Sequence, residues 1–332
     1  MKRSYPSYYK EFRCIAGDCP DSCCHEWEVQ VDPDSAQRWR TLPGPLGDAL
    51  RKDLYEEDGE IYLRNRDDRC PMWRKDGLCR IQAELGHDAL CQVCQQFPRL
   101  RHDYGDFEEL GLEMSCPEAA RLMLSAEASV WCHEEVPGGE EPEYDARDMA
   151  FLKDTRGEAL AIVSDPSVSV GEALAVLLFY GYAAQELLDA GEGYDFDPEA
   201  ALADARQFAE AGDFPGLVAF YENLEILTDR WRELLETGGV KRPWQEEDRR
   251  FARYLVERYW LQAISDFDIV SRAKLVVVSC IMVRHLGGDP VETAQIYSKE
   301  IENNSENVDA ILDGAYTARS MTDRNLLGLL LN

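Results

Sequence analysis

Nine of the eleven cysteines in this chain fall between Cys14 and Cys116. They read Cys14-x4-Cys19-x3-Cys23-Cys24, then Cys70-x8-Cys79-x11-Cys91-x2-Cys94, then Cys116. Thiolates are soft, strongly donating ligands that suit zinc, copper(I) and iron–sulfur clusters. So many thiols exceed what one tetrahedral zinc or one four-iron cluster needs. Cys91-Gln-Val-Cys94 is a two-ligand hook of the kind that zinc knuckles and clusters share. Cys23-Cys24 is unusual, because neighbours in extended backbone point to opposite sides and so serve different partners. Burial as small hydrophobes explains one or two of the nine, not the group. Cys132 and Cys280 lie outside the pattern.

The choice of metal over disulfides follows from the expected compartment. The N-terminal Met1-Lys-Arg-Ser-Tyr-Pro has no apolar stretch behind its basic residues, which is not the pattern of a secretory leader. The longest apolar run, Leu275 to Val283, is about half a membrane span. A soluble, cytoplasmic protein is expected, and in a reducing compartment clustered cysteines bind metal or do chemistry. With 35 basic against 64 acidic residues the formal charge is −29. Such a surface repels nucleic acid and anionic lipid and attracts basic protein segments.

At 332 residues the chain can bury a large core without staples. The reading is mainly α: an irregular, cysteine-rich, metal-bound module over 1–124, then an α-helical domain over 125–332. In the first part Asp32-Pro33 starts a short helix running through Trp39. Ile61-Tyr62-Leu63 is a strand candidate, Asp76-Gly77 a turn, and a short helix begins near Ile81 and stops at Leu85-Gly86. So little periodic apolar content leaves folding energy to the metal. Ala119 to Val130 is helical in pattern, and Pro137 to Pro142 is an exposed loop. Helical patterns follow at 145–164, 169–190, 198–211, 215–237, 244–263, 268–286, 290–302 and 317–331. Leu174, Leu177, Leu178 and Tyr182 form one core stripe, and Leu275, Val278 and Met282 another.

Three familiar motifs are excluded. Radical enzymes that use S-adenosylmethionine usually carry Cys-x3-Cys-x2-Cys, whereas here Cys19-x3-Cys23 is followed at once by Cys24 and position 26 is Glu26. No Gly-x-Gly-x-x-Gly loop follows a strand, and there is no P-loop. The flanks of the cysteines are more informative. Tyr8-Tyr9-Lys10-Glu11-Phe12-Arg13-Cys14-Ile15-Ala16 and Cys19-Pro-Asp-Ser-Cys23-Cys24 open the pattern. Cys70-Pro71-Met72, Gly77-Leu78-Cys79, Leu90-Cys91-x-x-Cys94, Phe97-Pro98-Arg99 and Ser115-Cys116-Pro117-Glu118-Ala119-Ala120-Arg121 continue it. Together, over residues 5–124, these phrases resemble the N-terminal signature of flagellin lysine N-methylases, within a broader cysteine-cluster group.

The resemblance implies a methyltransferase acting on the ε-amine of flagellin lysines, with S-adenosylmethionine as donor. It also implies a metal centre drawn from Cys14, Cys19, Cys23, Cys24, Cys70, Cys79, Cys91, Cys94 and Cys116. A [4Fe-4S] cluster is expected, with zinc as the alternative. Flagellin is the implied protein partner; neither nucleic acid nor membrane is. Methylation needs the neutral amine, so a site must bury the lysine or take its proton. Tyr8, Tyr9, Asp21, Glu26 and Trp27 are candidates near the cysteines, set against ordinary packing or surface roles. His25 is a candidate ligand or proton carrier, or a group behind the ligands. Arg64, Arg66, Arg69, Arg74, Arg80, Arg99 and Arg101 could offset thiolate charge or meet the donor's carboxylate; a solvated face is the plainer reading. A non-catalytic metal-binding or metal-handling protein and an iron–sulfur redox protein are the alternatives.

Overall fold

The computed structural model describes residues 1–25, 29–125, 130–191 and 196–332. Glu26 and Trp27 lie outside the described residues. Strand β1 (Lys2–Pro6) sits inside a four-stranded sheet of order β5-β6-β1-β7. It runs parallel to β6 (Phe107–Leu112) and antiparallel to β7 (Trp131–Glu135), while β5 (Arg99–Asp103) pairs antiparallel with β6. Charge fixes this register. Glu108 on β6 is fully buried between Arg3 of β1 and Arg101 of β5, and Glu109 is gripped through both oxygens at 2.7 Å by Arg156. A second sheet of order β2-β4-β3 joins Val29–Gln30, Glu60–Leu63 and Leu54–Glu57.

Short helices carry the rest of the first third: α1 (Pro33–Thr41), α2 (Gly44–Asp53), α3 (Arg80–Leu85), α4 (Gln92–Gln96) and α5 (Pro117–Ser125). Asp32 caps α1 by accepting from the Ser35 N–H at 2.9 Å, as the Asp-Pro pair predicts. The second sheet with α1 to α4 encloses a small core around Val31, Trp39, Leu50, Leu63, Met72 and Cys91, while α5 packs in the main core.

Longer helices follow: α6 (Ala146–Ser164), α7 (Val170–Ala190), α8 (Pro198–Phe208), α9 (Phe214–Tyr221), α10 (Asp229–Thr237), α11 (Glu246–Tyr259), α12 (Ile269–Leu286), α13 (Pro290–Ile301), α14 (Ser305–Thr317) and α15 (Asp323–Leu331). About 60% of the structure is helical, so the mainly-α reading holds. Ser169 and Glu172 close a capping box at the start of α7, and Gly191 ends it in the left-handed region. Every residue of α12 is buried, because α7, α11, α13, α14 and α15 surround it. Its charges survive there on carbonyls and carboxylates: Lys274 bonds to Ala315 O, Met321 O and Asp323, Arg272 pairs with Asp266, and Arg284 bonds to Arg242 O and Leu329 O. Among the described residues no helix is long and apolar enough to cross a membrane.

Three expectations need correction. The 215–237 pattern is two helices, α9 and α10, because the turn at Asn223–Leu227 separates them. Helix α14 begins in the polar run Asn303-Asn304-Ser305, where the Asn304 cap rather than an apolar stripe marks the start. Tyr182 is 41% exposed, its hydroxyl bonded to Asp323, while Leu174, Leu177 and Leu178 are core.

Candidate functional site

Backbone pairing brings the separate cysteine groups together. The Cys70 N–H donates to the Cys24 carbonyl at 2.9 Å, and His25 bridges Arg69 alongside. Trp73 and Cys79 form a second bridge, which folds the Cys70 loop onto the start of α3. Asp32 does double duty: its second oxygen accepts from the Gln92 N–H at 2.8 Å, so one carboxylate caps both α1 and α4. That bond, with Trp39 Nε1 donating to Ala89 O at 2.9 Å, seats the Cys91–Cys94 hook. Cys79 and Cys91 stand at the N-caps of α3 and α4, and Cys116 immediately precedes α5. Thiols in such places receive backbone N–H groups and the positive end of the helix.

The side chains then form one connected group. Cys24 accepts hydrogen bonds from Cys23 and Cys70, which holds its thiol well below the ordinary range and raises both donors. The Cys94 thiol donates to Cys91, lowering Cys91 and raising itself. Burial pushes up Cys19, Cys79 and Cys116, the last to about 11. Charge on Cys23 is felt from Cys14 and Cys116, on Cys116 from Cys19 and Cys14, and on Cys79 from Cys24 and Cys91. Cys23 thus looks toward Cys14 and Cys116, whereas Cys24 binds Cys70 and sits by Cys79. The two sit in a turn closed by the His25 N–H on the Ser22 carbonyl at 3.1 Å, not in extended backbone. The Cys23 thiol therefore meets Cys24, and Cys94 feels both, against the expectation for an extended pair. None of these nine described cysteines is in a disulfide; Cys70, Cys91 and Cys116 are buried, while Cys14, Cys23 and Cys94 reach solvent. Among the described residues no group of three or more His, Cys, Asp or Glu side chains stands in metal-holding geometry.

A cleft of about 650 Å³ opens beside this group. One wall consists of residues that flank cysteines: Pro20 and Asp21 after Cys19, His25 after Cys24, and Pro117 after Cys116. The other comes from the starts of α10 and α13, with Thr228, Arg230, Asp289 and Glu292 among its residues. The two walls are tied at the base. Gln295 Nε2 donates to Asp21 Oδ2 at 2.9 Å and to the Ser115 carbonyl at 2.8 Å, and Lys299 Nζ meets Asp21 Oδ1 at 2.8 Å. One turn of α13 therefore holds the Cys19–Cys24 loop against Cys116. Behind Thr228 lies Glu300, fully buried, one oxygen accepting from the Leu227 N–H at 2.8 Å and the other without a hydrogen-bond partner. Burial pushes this carboxyl up to about 7, against the opposing influence of Thr228, the Leu227 N–H and Lys299.

A stretch of 127 residues is 30% identical to the flagellar biosynthetic protein FliU of Salmonella muenchen, covering 36% of this chain and 75% of that one. The lysine-N-methylases of Salmonella typhimurium and Salmonella choleraesuis match at 30% identity over 127 residues as well. The chain belongs to the flagellin lysine N-methylase family. It spans 32% of the length of those two lysine-N-methylases. No family model and no solved structure matches it.

Within this lysine N-methylase family member, the other sequence candidates divide cleanly. Asp21 and His25 line the cleft. Tyr8 is buried in the main core, beside Glu257 at a separate cavity of about 30 Å³, and burial raises its hydroxyl. Tyr9 packs against Tyr5 at 5.9 Å. The crowded arginines answer local carboxylates and rings: Arg66 to Asp53, Arg74 to Asp76, Arg80 to Glu84, Arg101 to Glu108 and Asp103. Arg64, Arg69 and Arg99 lie over Tyr55, Trp73 and Phe12. Sequence reasoning missed Gln295, Lys299 and Glu300. Their one signal was the polar character of the six positions from Gln295 to Glu300, broken only by Ile296 and Tyr297.

Proposed function

We propose that this chain methylates the ε-amine of lysine side chains on flagellin, with S-adenosylmethionine as donor and an iron–sulfur centre on its cysteines. The observation that carries the reading is a roomy cleft walled by the residues next to Cys19, Cys24 and Cys116, in a lysine N-methylase family member. Thiols fit such a centre by donor chemistry, and its ligands would be drawn from Cys14, Cys19, Cys23, Cys24, Cys70, Cys79, Cys91, Cys94 and Cys116. When bound, the group supplies folding energy to the loops and a Lewis-acid face beside the cleft.

The chain's own residues account for the proton. A lysine titrates near 10.4 and must shed one proton before its lone pair can attack. In the transfer the N–CH3 bond forms as the S–CH3 bond breaks, leaving a neutral thioether. Glu300, titrating at about 7, takes the ammonium proton by way of the Thr228 hydroxyl at the cleft wall. The acidic surface draws in a lysine-bearing face of the partner.

Incubation of the anaerobically purified protein with S-adenosylmethionine and flagellin should add methylene masses to lysine-containing peptides. Unchanged flagellin in the presence of intact metal and donor overturns the reading. Glu300→Gln should slow transfer and abolish an acid limb near pH 7 in the rate profile, which a purely structural role for Glu300 would leave in place.

A further inference from the structure

The cleft carries more information than its position. Its volume of about 650 Å³ falls within the range of about 300–1,000 Å³ for small-molecule sites and exceeds what one lysine side chain fills. Its outer wall offers both signs of charge side by side. The Arg230 guanidinium stands 3.7 Å from Glu292, both more than half exposed, so the pair is loose and open to exchange for a ligand. Asp289 adds a second carboxylate at the same rim. The apolar part of the lining is Pro20 and Pro117 beside the cysteines and Val291 and Ile296 on α13, and His25 lines the cleft with them. The base is rigid, because Lys299 and Gln295, each about 95% buried, bond to Asp21.

We propose that this cleft binds the methyl donor as an α-amino-acid zwitterion with a sulfonium and an aromatic extension. Arg230 takes the carboxylate, Glu292 and Asp289 face the ammonium, and the apolar floor beside His25 takes the adenosyl group. A donor with net positive charge suits a rim carrying two carboxylates for one guanidinium. This placement puts the sulfonium between the cysteine loops and Thr228. The comparably large cavity of about 730 Å³ among α6, α7 and α8 is lined by Phe151, Thr155, Tyr180 and their neighbours and meets none of the cysteine loops. The assignment rests on the methyltransferase reading above.

The test is calorimetric binding to the full-length, metal-containing protein of two probes: S-adenosylhomocysteine, and 5′-methylthioadenosine, which lacks the amino-acid group. Arg230→Ala and Glu292→Gln are surface changes whose folding is checked by circular dichroism. Each should weaken S-adenosylhomocysteine roughly tenfold, the loss of one charge-assisted contact, and leave 5′-methylthioadenosine unchanged. Equal weakening of both probes, or unchanged affinity for both, overturns the cleft assignment while a methylating wild-type protein keeps the function. A wild-type protein that binds neither probe and methylates nothing removes the function itself, and the site with it.

Discussion

Single residues at this site do work that their neighbours cannot. An ordinary glutamate titrates near 4.3, and Glu300 is raised to about 7, so the folded state holds that proton more tightly than the unfolded chain. Stability therefore falls as pH climbs from the ordinary carboxyl value to about 7, and the full cost persists above it. The shift corresponds to about 3 kcal/mol. Glu300→Gln should abolish that slope and raise the unfolding midpoint above neutral pH, as denaturant titrations across pH would show. The cysteines divide in the same residue-by-residue way. Cys24→Ala removes the acceptor that Cys23 and Cys70 share, so iron and sulfide content should collapse. Cys132→Ala, on β7 and outside the connected group, should retain both. The importance of Cys24 was legible in sequence through the Cys-Cys pair. Glu300 was not, because an acid beside Lys299 on a helix of mixed polarity reads as an ordinary surface residue until the packing is known.

Among elements, α13 stands out because its two ends face different tasks. Asp289 caps it at the cleft rim, and the turn from Gln295 to Lys299 clamps the cysteine loops. Asp21→Ala leaves the buried Lys299 ammonium without its carboxylate, at about 3–5 kcal/mol. Lys299→Met leaves Asp21, which is partly in water, and should cost less, about 1–3 kcal/mol. Paired thermal melts give the order, and faster alkylation of Cys19 and Cys23 in the metal-free Lys299→Met protein would show the loosened loop. Asp32 is the corresponding device in the small core. Its replacement by Ala removes two helix caps, each worth about 0.5–2 kcal/mol, and should release the Cys91–Cys94 hook before it unfolds the rest. The Asp32-Pro33 start of α1 was plain in the sequence, whereas the bond to Gln92 spans sixty residues and no local pattern records it. The four-stranded sheet was missed for the same reason. β1 and β6 are over one hundred residues apart, and their charged residues look like surface until Glu108 is seen between two arginines.

The whole molecule carries −29 at neutral pH, and its carboxylates repel one another in the compact state. Raising ionic strength from about 0.01 M to about 0.15 M shortens the screening length from about 30 Å to about 8 Å, so the melting temperature should rise. The same change should weaken encounter with a lysine-bearing partner, giving opposite salt responses for stability and association. The sequence alone determined that the chain is mainly helical and that nine of its eleven cysteines crowd into the first third. It also carried the family, because helix caps, apolar stripes and ligand flanks are local patterns written within a few residues. Only the tertiary structure decided that Cys23 and Cys24 meet in a turn and that α13 locks the cysteine loops. It alone set Glu300 behind the wall of a cleft. Those depend on long-range packing and on burial, which set electrostatics by what surrounds a group rather than by what precedes it in the chain.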